Sequence, residues 1–408
     1  MNFFYNTGIA AYKLAVQLVS SRNRKAKLML EGQARTFDYL RETIVPGQSY
    51  IWIHVSSLGE FEQGRPLIEK IKKERPQDRI LITFFSPSGY EVRKNYDKAD
   101  AVCYLPFDLP GNVKEFLDLV QPKMAIFVKY EFWGNYLSEL ERRSIPTYII
   151  SSVFRDRQIF FKPWGGLFRR MLKCYTRIFV QNEESRKLLK SIDVENVEVA
   201  GDTRFDRVAN VRRAAKDLPI IASMTQDQPL TLVMGSSWPA DEDVVIPYFN
   251  AHPEIKLIVV PHEFDAERLK EIKAKITRPV ALYSQTSEAD AQHLDALIVD
   301  CFGILSSIYR YGQLAYIGGG FGAGIHNVNE AAVYGIPVVF GPKYGKFCEA
   351  KGLIAAGGGF SVGNAQEFAR VLDGFLGDRD TLLHAGSIAD HYIKTHLGAT
   401  SHVYDSIF

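Results

Sequence analysis

Two acids stand where chemistry can be done. Glu60 closes the stretch HVSSLGE (His54–Glu60), just after the apolar run Tyr50–Ile53 and just before a helix pattern. Glu131 lies in VKYEFWGN, again directly after an apolar run. An acid at a strand end, facing a cleft, can take a proton from a substrate, and a second acid can orient it or its substrate. Each also has a plainer reading. Glu60 can be a first-turn acid matched to a helix dipole, and Glu131 a solvated acid or an ion-pair partner of Lys129.

A second set of loops suits an anionic ligand. YIGGGFGAGIHNVNEAAVYGIPVVFGP (Tyr316–Pro342) reads as a strand, a glycine-rich loop with Gly319 and Gly320, and a helix starting near Asn327. Glycines let backbone approach a ligand, and a helix N-terminus favours a phosphate. His326, Asn327 and Glu330 are its polar residues, with Asn327 as N-cap and Glu330 one turn on. The run Gly318–Ala323 matches a loose dinucleotide pattern, yet GIPVVFGP stands where that pattern needs an acid. MGSSWPADED places Ser236 and Ser237 after another strand, where small hydroxyl residues can bind phosphate. Its Asp241, Glu242 and Asp243 resemble a metal-binding triplet but read more simply as first-turn helix acids, so no metal site is assigned. His262 in VVPHEFD, and Asp300 and Gly303 in IVDCFGIL, occupy similar turns.

These turns must be held by strands. After residue 48 short apolar runs alternate with helix patterns, which predicts an α/β protein with parallel sheets in two halves. The expected parts are an N-terminal helix over 1–30, one Rossmann-like domain over 31–209, a second over 210–383, and a helix over 384–408. The stretch from Asp206 to Pro229 is weakly patterned. In such folds ligands bind at the carboxyl ends of the strands.

The chain has 408 residues, 46% hydrophobic and 24% charged, and a net charge of +2, which excludes a nucleic-acid-binding polycation. Cys103, Cys174, Cys301 and Cys348 are scattered, which argues against a disulfide framework and a structural zinc site and suits a reducing cytoplasm. Thr7–Ser21 is moderately apolar but too short and polar to span a bilayer, which takes about 20 apolar residues. Arg22, Arg24, Lys25 and Lys27 follow it. It reads as a helix lying in a membrane surface, or as an amphipathic helix packed on its own domain. Ser151–Lys173 interleaves Arg155, Arg157, Lys162, Arg169 and Arg170 with Phe154, Phe160, Phe161, Trp164 and Phe168, a surface for a phosphate-bearing lipid or for RNA bases, or else a partly buried helix.

Taken in order, these motifs resemble the Kdo transferases, which move 3-deoxy-D-manno-octulosonic acid (Kdo) from CMP-Kdo to a lipid A precursor. The family pattern H-x-x-S-x-G-E is matched by His54, Ser57, Gly59 and Glu60. Its E-T-E-x-W-P-N is met by Glu131, Trp133 and Asn135, with Lys129 and Gly134 departing. Its G-N-x-K-F-D corresponds to Gly201 through Asp206 with Arg204, and its G-G-H-N-x-x-E to His326, Asn327 and Glu330, followed by Gly335, Pro337 and Val338. Pro261 and Ile304 also depart from the family's Arg and Glu.

The resemblance implies a GT-B fold, two Rossmann-like parallel-sheet domains facing a cleft, and inverting single displacement without metal or cofactor. Glu60 would be the base and Glu131 its orienting partner. Ser56, Ser57, Gly59, Arg155, Arg157 and Arg204 would meet the acceptor. Ser236, Ser237, His262, Asp300, Gly303, Gly319, Gly320, His326, Asn327 and Glu330 would hold CMP-Kdo. The expected partners are CMP-Kdo, the lipid A precursor and a membrane surface, at the cytoplasmic face of the inner membrane, with no nucleic acid and no obligate protein partner. A GT-B enzyme acting on a UDP-sugar is the alternative.

Overall fold

The computed structural model describes residues 3–226 and 230–408. Strands β1 (Tyr50–Val55), β2 (Arg79–Phe84), β3 (Ala101–Tyr104), β4 (Pro122–Val128), β5 (Thr147–Ser152), β6 (Arg177–Val180) and β7 (Val197–Val199) form one sheet, in the order β3-β2-β1-β4-β5-β6-β7. Strands β8 (Leu230–Ser237), β9 (Ile255–Pro261), β10 (Val280–Leu282), β11 (Ala296–Ile298), β12 (Leu314–Ile317), β13 (Val338–Phe340) and β14 (Gly359–Ser361) form the other, in the order β10-β11-β9-β8-β12-β13-β14. Every pairing is parallel.

The reason lies in the strands. β1, YIWIHV, is buried at every position. A strand buried at every position needs cover on both faces, which crossover helices of a parallel sheet supply. Its residues divide with period two: Ile51, Ile53 and Val55 enter one core, Tyr50 and Trp52 the other.

The chain divides into two compact units, Met1–Arg207 with Leu397–Phe408, and Val208–His396. In the first, chain order reverses between β1 and β4; in the second, between β8 and β12. Such switch points open a crevice at the carboxyl ends of the strands.

Three expectations change. The weakly patterned stretch contains the helices Thr203–Arg213 and Pro219–Thr225, while residues 227–229 lie outside the described residues. In the first of these only Phe205 and Val208 carry the buried apolar face, too little for a periodic signal. The helix after the glycine-rich loop is a single turn, Asn329–Ala332, with Val328 rather than Asn327 at its N-cap position. The last segment is broken at Gly398, whose φ of +107° suits glycine. There Asp206 accepts the backbone N–H of Gly398 and of Thr400, each at 2.7 Å, and starts the helix Ala399–Ile407.

The first helix, Phe3–Ser20, has no buried residue, and Phe3 and Phe4 are 78% and 81% exposed. Residues 1 and 2 of this segment lie outside the described residues. Arg22, Arg24, Lys25 and Lys27 follow it in exposed positions. Among the described residues no helix is long and apolar enough to cross a membrane.

Candidate active site

In the first unit the turn after β1 leads into the helix Leu58–Glu74. The Glu60 carboxylate turns back to accept the backbone N–H of Ser56 at 2.6 Å and of Ser57 at 3.0 Å. Glu60 thus satisfies donors at the helix start, as a first-turn acid, while it stands at a strand end. Burial, and then the charge of Glu131, push its carboxyl up to about 6, against the pull of His54 and the two N–H groups. Such a carboxylate is ionised at neutral pH yet more basic than a solvated one.

Glu131, only 5% exposed, follows β4. Its Oε2 lies 3.0 Å from His54 Nε2 and accepts the Trp133 indole N–H at 2.6 Å. The Tyr175 hydroxyl donates to its backbone carbonyl. The other ring nitrogen of His54, Nδ1, lies 2.9 Å from Thr83 Oγ1 and 3.1 Å from the Thr83 carbonyl, and the Trp52 indole donates to the same hydroxyl. A chain of polar groups thus runs from inside the sheet to the acid beside Glu60.

Sequence reasoning assigned no role to His54, Thr83 or Trp133. A signal for two of them existed: β1 and β2 each carry one interior polar residue in an apolar run, His54 and Thr83. These two pair directly across the strands. Only the register makes that visible.

The other first-unit candidates are placed unequally. Ser56 and Ser57 are half-buried and Gly59 exposed beside Glu60. Arg155 is half-buried and reaches the Tyr130 hydroxyl at 3.4 Å, and Arg157 is exposed. Arg204 is committed to Asp202, at 2.7 Å, and Gln63 of the Glu60 helix holds that same acid at 3.3 Å. This pairing braces the chain one turn along from Glu60. The aromatic–basic surface also shrinks. Phe154 and Phe160 lie in the core, Phe161 and Phe168 pack against it, and Trp164 alone of the five rings is 73% exposed.

In the second unit, the loops after β8, β9 and β12 bring rings together. The Trp238 and His262 rings are 5.0 Å apart, those of His262 and His326 4.3 Å, and the Trp238 indole N–H donates to His326 Nε2 at 3.3 Å. An accepting Nε2 leaves the His326 proton on Nδ1. Burial and His262 lower the His326 imidazole to about 4, so it is neutral at pH 7. Ser236 sits here with a φ of +54°, a strained backbone for a non-glycine residue.

Several donor candidates serve the protein itself. The buried Ser237 hydroxyl donates to Glu242 at 3.1 Å. Asp241 accepts from the Tyr316 hydroxyl and from the N–H of Trp238 and Gly319, tying the loops after β8 and β12 together. Glu242 pairs with Arg268 and Lys275. Gly318, Gly319 and Gly320 are buried, and a Cβ on Gly320 would meet Gly341 at 2.6 Å. The glycines thus allow backbone to pack on backbone, while Gly322 and Ala323 form the exposed tip.

Asp300 accepts the N–H and hydroxyl of Ser284, and Gly303 beyond it is exposed. Asn327 accepts the Asn329 N–H and donates to Glu330, both at 3.1 Å. The helix whose N-terminus was expected to favour a phosphate is only one turn long and carries little dipole.

Known proteins share this organisation. Residues 24–207 match the family model described as 3-deoxy-D-manno-octulosonic-acid transferase (kdotransferase). The 3-deoxy-D-manno-octulosonic acid transferase of Aquifex aeolicus is 28% identical over 82% of this chain and 88% of that protein. That of Haemophilus influenzae is 23% identical over 91% and 90%. Among solved structures, UDP-GlcNAc 2-epimerase from Neisseria meningitidis has a TM-score of 0.63 at 14% identity, covering 88% of this chain and 99% of that one. MurG from Acinetobacter baumannii has a TM-score of 0.57 at 12% identity, covering 88% and 99%. At such identities the structural likeness shows the fold alone, the GT-B class of two Rossmann-like units.

Proposed function

We propose that this chain, similar to Kdo transferases along most of its length, is itself one, and transfers Kdo from CMP-Kdo to a hydroxyl of a lipid A precursor in lipopolysaccharide synthesis. The observation that carries the reading is the Glu60 carboxyl, raised to about 6 beside buried Glu131 at a sheet switch point. A general base works best with a pKa near the operating pH.

Glu60 accepts the proton of the acceptor hydroxyl as that oxygen attacks the anomeric carbon of Kdo. The bond to the CMP phosphate breaks in the same displacement, with inversion. Glu131, held by His54 and Trp133, keeps Glu60 basic. In the second unit Ser236, Trp238, His262, His326 and the tip of the glycine-rich loop receive CMP-Kdo. His326 offers its Nδ1–H to the phosphate as negative charge develops there. The exposed apolar first helix and the basic residues after it dock on an anionic membrane surface, facing the cytoplasm, where a lipid acceptor resides.

The test is incubation of the full chain with CMP-Kdo and a tetraacylated lipid A precursor, with mass spectrometry counting sugars added. Addition of Kdo supports the reading. Turnover of a UDP-sugar with none of CMP-Kdo would overturn it.

A further inference from the structure

The loop carrying Glu131 begins at Lys129, whose φ is +75°, and ends in the helix Gly134–Arg142. A helix start has backbone N–H groups without intrahelical partners. Here they are met from far along the chain. Gly134 N–H donates to the Tyr5 hydroxyl at 2.9 Å. Asn135 N–H and Tyr136 N–H each donate to the Asp108 carboxylate at 2.9 Å. The Tyr5 hydroxyl in turn donates to Asp108 at 2.6 Å, and the Asn135 amide donates to the Asn6 side chain at 2.9 Å.

Tyr5 and Asn6 belong to the first helix, which has no buried residue. Asp108 is fully buried. Burial and Asp108 hold the Tyr5 phenol well above its ordinary value, so it stays a donor.

Gly134 makes this contact useful. Glycine leaves the loop more conformational freedom than any other residue, and it keeps the N–H that a proline would lack. Its neighbour Trp133 donates to Glu131, so freedom at Gly134 is freedom of the acid that tunes Glu60.

We propose that Tyr5 is a positioning residue for transfer: its hydroxyl clamps Gly134 and Asp108, and so fixes the Trp133–Glu131 pair beside Glu60. This rests on the reading of Glu131 above.

The clamp is tested by Tyr5→Phe, alone and combined with Gly134→Pro. Position 134 is the first residue of its helix, where proline is favoured, and Trp133 is extended, as a residue before proline must be. Proline would then supply the rigidity that Tyr5 supplies here, and the N–H it lacks has already lost its acceptor in Tyr5→Phe.

Tyr5→Phe should lower kcat about tenfold with KM for CMP-Kdo unchanged. It should also move the ascending limb of the pH–rate profile below its wild-type position, as Glu131 recedes from Glu60. The double variant should regain most of the loss. Wild-type kcat and pH limb in Tyr5→Phe overturn the clamp, and so does a loss that Gly134→Pro leaves unrestored.

Glu131→Gln, measured in parallel, separates the two ideas. If it turns over normally, the role of Glu131 has failed and the clamp with it. If it is slow while Tyr5→Phe is not, the clamp alone has failed.

Discussion

The crevice between β1 and β4 and the one between β8 and β12 hold the same topological place in their sheets, and the chain builds them in opposite ways. The first gathers acids. Glu60 and Glu131 stand close enough for one to raise the other, backed by a fully buried histidine. The second gathers aromatic and imidazole rings and tightly packed glycines, and its acids Asp241 and Glu242 are turned inward to brace the loops. Topology provides a crevice, but the side chains decide its charge and its hydrogen-bonding character. A base needs a destabilised negative charge; a site for a nucleotide phosphate must not present one.

The comparison breaks most sharply at Glu60. Glu60→Gln should cut turnover on the order of 10³-fold and leave CMP binding, measured by calorimetry, as in wild type. Strong activity in that variant would remove the contrast. In wild type, kcat should rise with pH through about 6 as Glu60 ionises; a limb near the ordinary glutamate value would show a solvated acid.

The second crevice is sharpened by His326→Gln. It should weaken CMP-Kdo binding about five- to tenfold with no change in that pH limb. A shifted limb would mean that the histidine, not the acid pair, governs proton transfer.

The smallest effect is on stability, and its sign differs between the crevices. Folding raises the Glu60 pKa, so the protonated acid is favoured in the folded state and stability is lost as pH rises through about 6. Glu60→Gln should therefore stabilise the protein at pH 8 by about 1 kcal/mol, a figure reduced for partial solvation, and hardly at pH 4. Folding lowers the His326 pKa to about 4, so stability is lost as pH falls from the ordinary histidine value toward 4, and His326→Gln should relieve acid destabilisation only. Thermal melts of both variants across pH 4 to 8 would separate the two signs, and parallel curves would refute them.

Much of this was legible beforehand. The alternation of apolar runs and helix patterns after residue 48 is that of the strands and helices of the structure, because a parallel strand covered on both faces is largely apolar. Glu60 and Glu131 were visible as acids just past such runs. The helix Thr203–Arg213 was not, because its few apolar positions are set by what they pack against. The ion pair of Arg204 and the burial of the phenylalanines after β5 were hidden for the same reason. A charge looks free, and a ring exposed, until the partner or the core that takes it is known.

By itself the sequence determined the alternation of strands and helices, hence two parallel sheets with their polar turns at the carboxyl ends. Those follow from local periodicity and from the need to bury apolar surface. Only the tertiary structure decided that β1 lies between β2 and β4. That order sets His54 against Thr83 and Glu131, and brings Tyr5 to Gly134 across the length of a domain. The basicity of Glu60 belongs to this second class. It depends on how much water its neighbours exclude and where a second charge sits, and neither is a property of a residue or its spacing.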